Sequence, residues 1–392
     1  MVRPTRTVMF PSSSKRGGAG PRILFVSSTT MGGSGRSQRE LDAALRARGL
    51  ETMMLVDDCC GHQVTRFLHE QLWDASVRFR GTPILESSTR WLRSIPGRRT
   101  RSVPTDRGEV QVTHAPENAF PDLAVTFEPD VVVASSIARP TWRAIRETCS
   151  VLGLPTVLYL REETALRHLE PDNGVHDLVL GNSQTLVEGA RRHGVEAHLV
   201  PSVVDLSSAR CETSRHTVML VNPKESHGVG RIADLALNFP TVPFVLQESW
   251  DLSAKEHAFI NSLLLDHPNV SFRPRVATPA EMFRDVGLLL APHRIDNRPR
   301  TVLEAQLNGI PVVATAQPGL VEAVGAGGIC IPDDADAAAW RDAVSSIWSN
   351  PSRYAELERA ARAHAARPDV DSGHVVRTFI DLIGALDRKV VL

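Results

Sequence analysis

The chain has 392 residues, of which 42% are hydrophobic and 23% are charged, so it is long enough to form two domains with cores of their own. Its formal net charge of −1 argues against a general nucleic-acid binder, and we expect no nucleic-acid partner. No apolar run approaches the ~18 residues needed to cross a bilayer. The basic start, residues 1–21, lacks the apolar segment of a secretory signal and is predicted to be a disordered tail.

The distribution of charge along the chain and the spacing of the cysteines limit the possible classes of protein further. The first 110 residues are basic and the remainder is acidic, which predicts two bodies with different partners. The five cysteines are scattered, and none has the spacing of a zinc site. Reduced thiols are typical of a cytoplasmic protein, and we expect that location.

Short apolar runs alternate with helical stretches through the first half of the chain. Strands are predicted at residues 22–28, 52–56, 130–134, 156–160, 177–181 and 197–201. Helices are predicted at residues 36–48, 141–152 and 184–193, with Ser183 capping the last of them. A Gly-rich turn at residues 32–35 separates the first strand from the first helix. Residues 86–110 are predicted to be a mobile, arginine-rich loop.

A polar segment, residues 205–215, interrupts the alternation and is the predicted domain boundary. Beyond it, strands are predicted at residues 217–221, 243–247, 270–272, 288–291 and 311–314, followed by a run that ends at Pro332. Helices are predicted at residues 230–237, 253–265, 279–286, 301–308, 335–348 and 351–367. Residues 372–387 form a last amphipathic helix in this prediction.

Alternating strands and helices predict the α/β class, with two tandem Rossmann-like, doubly wound sheets that face each other across a cleft. We assign residues 22–205 to a first domain and residues 206–370 to a second domain. The C-terminal helix, within residues 371–392, is expected to pack back towards the first domain.

The second domain carries a strand, a polar loop, a helix and a glycine stop between residues 288 and 315. The free backbone N–H groups at the start of this helix suit a diphosphate; they belong to Thr301, Val302 and Leu303. Positive charge beside them comes from Arg294, Arg298 and Arg300. Glu304 lies one turn into the helix, where it can accept hydrogen bonds from ribose hydroxyls, and Asp296 lies in the loop facing the same cleft.

Seven residues separate Asp296 from Glu304, and a longer pattern follows. It consists of Glu304-Ala, Gly309, Pro311-Val-Val-Ala, Gly319, Glu322 and Val324. This pattern resembles the signature of the retaining glycosyltransferases of family 4, which have the GT-B fold. Residues 179–183 (VLGNS), residues 201–205 (PSVVD) and the Gly32-Gly33-Ser34 turn extend the resemblance to roughly residues 22–370.

The resemblance implies that Asp296 faces the donor sugar as the catalytic residue and that Glu304 holds the nucleotide ribose. It implies a sugar transfer that retains the anomeric configuration and needs no metal or other cofactor beyond the nucleotide-sugar donor. The second domain would bind the donor, and the first would bind an acceptor hydroxyl on a small molecule, a lipid or a glycan. The Asp334-Ala-Asp336 motif lies at a predicted helix start, where acidic caps are expected, so we assign it no metal.

Four sites depart from the family pattern, and the first is Asp296, which stands where the family has a Glu that is one methylene longer. Asn222 and His227 stand where the family has phosphate-binding Arg and Lys, so we expect Lys224 to supply the charge and His227 to donate a hydrogen bond. Ser135 and Ser136 stand where a His is common. The predicted donor-binding residues are Gly32, Gly33, Ser34, Asn222, Lys224, His227, Arg294, Arg298, Thr301, Val302, Leu303 and Glu304. The predicted acceptor-side residues are Arg161, Glu162 and Ser135.

Other interpretations stay open. The departures suggest a nucleotide-sugar-binding pseudoenzyme or partner subunit. A dinucleotide fingerprint is also present: it consists of residues 228–233 (GVGRIA), with Glu248 further on, although six residues separate its first glycine from the strand. This motif leaves an NAD-dependent oxidoreductase as a third hypothesis. Two interpretations of the arginine-rich residues 90–107 stay open: a solvated loop, or a contact with the inner face of a membrane or an acidic acceptor.

Overall fold

The structure is a computed structural model and describes residues 20–28, 32–57, 100–105, 107–113, 115–169 and 176–389. Among these residues the first sheet has eight strands, in the order β3-β4-β2-β1-β5-β6-β7-β8. They are β1 (Ile23–Ser27), β2 (Thr52–Asp57), β3 (Arg101–Thr105), β4 (Gly108–Thr113), β5 (Val131–Ser135), β6 (Thr156–Leu160), β7 (Leu178–Gly181) and β8 (His198–Leu199). All neighbours are parallel except β3 and β4.

The antiparallel β3–β4 pair corrects the prediction of a loop over residues 86–110. Val103, Val110 and Val112 alternate with polar residues and reach the core, which favours a half-buried hairpin over a loop. Arg107 donates a hydrogen bond to Asp205 at 2.6 Å, so its guanidinium is engaged within the protein. Residues 86–99 lie outside the described residues, and the membrane contact and the cytoplasmic location stay predictions. No described helix has the length and apolar character needed to cross a bilayer.

Four helices cover this sheet in the described residues. They are α1 (Gly32–Arg46), α2 (Pro116–Phe127), α3 (Arg139–Leu152) and α4 (Gln184–Arg192). The helix α1 begins earlier than predicted, so the Gly-rich segment forms its first turn instead of a loop before it. The predicted cap is confirmed, because the Ser183 side chain accepts a hydrogen bond from the Leu186 N–H.

The second sheet has six parallel strands, in the order β11-β10-β9-β12-β13-β14. They are β9 (Thr217–Val221), β10 (Phe244–Gln247), β11 (Val270–Arg273), β12 (Val286–Ala291), β13 (Val312–Thr315) and β14 (Gly328–Ile331). The predicted helix over residues 279–286 is too long, because Val286 starts the fully buried strand β12. Two parallel sheets with helices confirm the predicted fold class.

The helices of the second half surround that sheet. They are α5 (Leu206–Ala209), α6 (Arg231–Asn238), α7 (Ala254–Asp266), α8 (Pro279–Phe283), α9 (Arg300–Leu307), α10 (Pro318–Val324), α11 (Ala337–Trp348), α12 (Pro351–Ala365) and α13 (Ser372–Lys389). The helix α10 was not predicted, because seven residues give too little periodicity. Asp336 caps α11 through the Ala339 N–H at 3.0 Å, which confirms the capping interpretation of the acidic motif.

The last helix returns to the first domain. Val375, Val376 and Phe379 of α13 are buried in the core cluster that also contains Ile23 and Phe25 of β1. The rings of Phe25 and Phe379 stack with their centroids 6.2 Å apart. The chain therefore crosses between the two domains twice, and the carboxyl ends of both sheets meet at the interdomain cleft.

Candidate active site in the interdomain cleft

The N-terminus of α9 supplies the backbone donors of the candidate site. Pro299 is its N-cap residue and offers no side-chain hydrogen bond, while the Val302 N–H already donates to the Pro299 carbonyl at 3.2 Å. The first amides of a helix have no partner within the helix. The N–H groups of Arg300 and Thr301 are therefore the ones best placed to receive a phosphate oxygen.

Arg300 links the two domains through a buried network. Its Nε donates to Glu304 Oε1 at 2.9 Å, and its Nη2 donates to both carboxylate oxygens of Glu40 at 2.9 and 3.0 Å. Its Nη1 donates to the hydroxyl of Ser37 at 3.2 Å. Burial alone would lower the pKa of Arg300, but Glu304 and Glu40 outweigh it and raise that pKa. The guanidinium that was predicted to assist a phosphate is instead an interdomain ion bridge.

Glu304 is 2% exposed in this arrangement. Its Oε1 accepts the hydrogen bond from Arg300, and the carboxylate keeps acceptor capacity for a ribose hydroxyl. The structure places Glu304 at the predicted edge of the cleft and adds a partner that the sequence did not indicate. Its ribose role stays a prediction.

Asp296 is held by the start of α10. Its Oδ1 accepts a hydrogen bond from the Gly319 N–H at 2.7 Å. A Cβ on Gly319 would lie 2.9 Å from that oxygen and 2.6 Å from the carbonyl oxygen of Asn297, so only glycine fits there. Burial raises the pKa of Asp296, the Gly319 N–H lowers it, and the neighbouring carboxylates of Glu163 and Glu322 raise it further. Because Glu163 belongs to the first domain, Asp296 faces the cleft.

Arg298 is also engaged across the cleft. Its Nη1 donates to the carbonyl oxygen of Asn182 at 3.0 Å, and its Nη2 lies 3.3 Å from Asp369. Its Nε lies 3.5 Å from Glu322, which in turn accepts the Gln184 N–H at 2.9 Å. Arg298 therefore couples the domains, and in this arrangement its charge is already balanced by two carboxylates. This corrects the expectation of a cation available to phosphate.

The two residues at the family's phosphate-binding positions are uncharged. Asn222 has a left-handed backbone, with φ 55°, and its Oδ1 accepts the N–H groups of Ser249 and Trp250 at 3.0 and 2.9 Å. His227 is 4% exposed and contacts the rings of Trp250 and His293 edge-on. Burial, with smaller effects of His293 and Lys224, lowers the pKa of His227 to about 3. Neither residue supplies a positive charge at neutral pH.

The remaining predicted cations of the second domain point elsewhere. The Nζ of Lys224 donates to the Asp251 carbonyl at 3.1 Å and lies 3.7 Å from Glu256. Arg294 has a side chain that is 68% exposed, and it lies 3.8 Å from Glu225. The structure thus gives Lys224 partners at the start of α7, which corrects its predicted place as the substitute phosphate cation.

The first-domain wall of the cleft is formed by residues that follow β5 and β6. Arg161 is buried at the end of β6 and donates from Nε to Ser135 Oγ at 3.2 Å, while Glu162 beside it is exposed. The hydroxyls of Ser34 and Ser136 lie 2.7 Å apart. Gly32 and Gly33, two of the predicted donor-binding residues, begin α1. The structure brings this end of α1 next to α9, because a Cβ on Gly33 would lie 3.6 Å from the Arg300 side chain.

A groove of about 870 Å³ opens at the carboxyl edge of the second sheet. Gly228, Gly230 and Arg294 line it, and neither Asp296 nor Glu304 does. Gly228 has φ 73°, and a Cβ there would lie 2.1 Å from the Pro292 carbonyl oxygen, whereas Gly230 has open space around it. Local packing therefore explains the first glycine of the dinucleotide fingerprint. We place the candidate site at the interdomain face, because several polar groups converge there.

Several residues of the cleft were missed by the sequence reasoning. They are Ser37, Glu40, Ser202 and His293. Glu40 and Arg300 are 260 positions apart, and no local pattern connects them. The one signal in the sequence near these residues was the family pattern. That pattern includes Gly319 but does not show that its N–H donates to Asp296.

Comparison with known proteins identifies the class. Residues 253–350 match the sequence family described as glycosyl transferases group 1. A stretch of 100 residues is 34% identical to the D-inositol 3-phosphate glycosyltransferase of Arthrobacter sp. (strain FB24). That match spans only 24% of this chain and 24% of the relative. It therefore concerns about a quarter of each protein.

Solved structures match over nearly the whole chain. The crystal structure of Anabaena HepE in complex with UDP-glucose has a TM-score of 0.69 at 15% identity, over 93% of this chain and 100% of that chain. Sucrose-phosphate synthase from Thermosynechococcus elongatus has a TM-score of 0.70 at 14% identity, over 93% and 99% of the two chains. At these identities the likeness establishes the fold.

The chain therefore has the GT-B fold, and residues 253–350 of its second domain match the glycosyl transferases group 1. The resemblance predicted from residues 296–324 is confirmed at the level of the group and the fold. Membership of family 4 and retention of anomeric configuration stay predictions.

Proposed function

We propose that this protein is a glycosyltransferase that moves a sugar from a nucleoside-diphosphate donor to an acceptor hydroxyl with retention of configuration. One observation carries the proposal: Asp296, Glu304 and the uncapped start of α9 converge at the cleft within the group 1 region. HepE was crystallised with UDP-glucose, which favours a uridine nucleotide as the first donor to test.

In this proposal, the second domain holds the donor. The diphosphate lies at the N–H groups of Arg300 and Thr301, where the helix start favours negative charge. The ribose hydroxyls bind Glu304. The sugar lies beside Asp296, whose carboxylate the Gly319 N–H holds in place.

The reaction breaks the bond between the sugar C1 and the diphosphate oxygen and forms a bond from C1 to the acceptor oxygen on the same face. The proton of the acceptor hydroxyl passes to the leaving phosphate oxygen. Donors aimed at the leaving group stabilise the charge that develops on it. Closure of the two domains excludes water that would hydrolyse the donor. Asp296 orients the sugar hydroxyls, and the chemistry proposed requires no metal.

Thermal unfolding with a panel of donors tests the proposal. The purified full chain is melted with UDP-, GDP-, ADP- and dTDP-sugars and with NAD. A ligand at 100 times its dissociation constant adds about 2.7 kcal/mol of stability, which gives a clear shift of the melting temperature. We expect one nucleotide sugar to shift it, Glu304→Gln to lose that shift, and the exposed Glu147→Gln to keep it. A shift with NAD alone would contradict the proposal.

The neutral Asn222 and His227 favour one alternative, a pseudoenzyme that binds nucleotide sugars without transferring them. Release of UDP from the bound donor distinguishes the two functions. A transferase releases UDP slowly even to water and faster with its acceptor. Stable donor binding without any UDP release, with the wild-type protein and Asp296→Asn behaving alike, would favour the pseudoenzyme.

A further inference from the structure

We propose that Arg161 forms an oxyanion subsite on the first-domain wall of the cleft and binds a phosphate or carboxylate group of a substrate. The proposal rests on the proposed function and adds the chemical class of a group that the first domain recognises. It concerns a side chain that is 6% exposed and that follows β6 directly.

The contacts of Arg161 are all with uncharged groups. Its Nε donates to Ser135 at 3.2 Å, its Nη1 donates to Ser202 at 3.1 Å, and its guanidinium carbon lies 4.0 Å from the centroid of the Tyr159 ring. Its Nη2 makes no hydrogen bond with the described residues, and no carboxylate among them contacts Arg161. A buried charge normally has a counter-charge, because the free energy lost when the charge is removed from water exceeds the free energy gained from hydrogen bonds to neutral groups.

The cations of the second domain that were predicted to bind the donor differ in this respect. Arg298 contacts Asp369 and Glu322, and Arg300 contacts Glu40 and Glu304. Lys224 and Arg294 lie near Glu256 and Glu225. Of these five cations, Arg161 is the one without a carboxylate in the part of the chain that the structure describes. Burial and the nearby Arg300 both lower the pKa of Arg161, and an anion beside it would offset both effects.

The backbone of Arg161 is connected to the second domain through Asn182. Asn182 donates from Nδ2 to the Arg161 carbonyl oxygen at 3.2 Å, and the Asn182 carbonyl oxygen accepts Arg298 Nη1 at 3.0 Å. Two hydrogen bonds therefore connect the Arg161 backbone to the loop that leads into α9. Asn182 is 5% exposed, and its Oδ1 is buried without a hydrogen-bond partner. An oxyanion at Arg161 with a hydroxyl directed at Asn182 would satisfy both groups.

Two sources can supply the oxyanion. The diphosphate of the donor is one, because Asn222 and His227 leave the second domain without the usual cations and Arg161 would replace them from the opposite wall. An acidic group on the acceptor is the other. The shared chemistry is an oxyanion with two acceptor oxygens, which matches the planar donors of a guanidinium.

Calorimetric titration of the full chain tests the proposal with inorganic pyrophosphate, UDP and uridine as probes. The variants are Arg161→Gln and Arg161→Lys, and the control is Arg191→Gln, an exposed arginine of the same domain. We expect Arg161→Gln to weaken pyrophosphate binding at least tenfold, Arg161→Lys to restore part of it, and Arg191→Gln to leave it unchanged. We also expect ligand-free Arg161→Gln to melt no lower than the wild type, which a purely structural arginine would not allow.

The probes distinguish the sources. If UDP weakens together with pyrophosphate while uridine is unaffected, the anion is the donor diphosphate. If UDP is unaffected and Arg161→Gln loses the pyrophosphate that binds in the presence of saturating UDP, the anion belongs to the acceptor. Wild-type affinities for pyrophosphate and UDP in Arg161→Gln would overturn the proposal. If Arg161→Gln does not fold, the test uses Arg161→Lys. Wild-type affinities in that variant, together with no effect of salt on pyrophosphate binding, would then overturn the proposal. Failure of the wild type to bind UDP, GDP, ADP or dTDP would instead contradict the proposed function.

Discussion

The two walls of the cleft use arginine in opposite ways. On the second-domain wall, Arg298 and Arg300 each contact two carboxylates, and each of them joins the domains. On the first-domain wall, Arg161 is equally buried but contacts only hydroxyls and an aromatic ring. An arginine in the sequence therefore does not establish a charge available to a ligand, because the pairing of that charge decides what it can bind.

Removing Arg300 tests this difference with the largest expected effect. Arg300→Met leaves Glu304 buried without its cation and Glu40 with only Arg36, so we expect a loss of about 3–5 kcal/mol in the free energy of unfolding. Chemical denaturation measures it. Arg353→Ala, which removes an exposed pair with Glu356, should cost no more than about 1 kcal/mol. A loss for Arg300→Met as small as that of the control would show that the bridge contributes little.

A change at Gly319 tests how the second-domain wall holds Asp296. A Cβ there would displace Asp296 or Asn297, and overpacking of this kind costs about 1–3 kcal/mol. We expect Gly319→Ala to lower the transfer rate more than it lowers donor affinity. Gly230→Ala, with open space around the new methyl group, is the matched control. Unchanged rates in both variants would separate Asp296 from the reaction.

The histidines of the second-domain wall predict a dependence of stability on pH. Burial is the main cause that lowers the pKa of His227 to about 3 and that of His293 to about 4, whereas an unfolded histidine titrates near 6.5. Between those values the unfolded state binds more protons, so stability falls as the pH drops below about 6.5. From pH 7 to 5.5 we expect each histidine to cost about 1.4 kcal/mol.

The variant His227→Gln checks this assignment. Its loss of stability between pH 7 and pH 5.5 should be smaller than that of the wild type by about 1.4 kcal/mol. The exposed His374→Gln should leave the wild-type difference unchanged. A pH dependence that survives intact in His227→Gln would mean that this histidine is not buried in its neutral form.

The parts of the fold that the sequence predicted are the parts with local signals. The last four residues of the buried strand β12, residues 288–291, were predicted from their run of apolar side chains, and the capped helix α4 follows from Ser183 and its periodicity. The helix α2, which contains Pro121, the short helix α10 and the β3–β4 hairpin were missed. Local rules act over a few residues, and these elements depend on distant packing.

The candidate site likewise contains residues that were predicted from a local pattern and residues that no local pattern indicated. Asp296 and Glu304 were found because they lie eight positions apart within one recognisable pattern. The bridge from Arg300 to Glu40 joins residues 260 positions apart, and each of them alone resembles an ordinary surface charge. The pairing of a charge is therefore the property that the sequence could not give.

The affinity of the wild-type protein for UDP, compared with that for 2′,3′-dideoxy-UDP, tests the central claim most directly. This comparison removes only the ribose hydroxyls and needs no variant that disturbs the Arg300 bridge. If Glu304 holds the ribose of a nucleoside-diphosphate donor, UDP should bind at least tenfold more tightly, a difference of about 1.4 kcal/mol. Equal affinities would contradict a ribose site at Glu304, and no binding of UDP, GDP, ADP or dTDP would contradict a nucleotide-sugar site altogether.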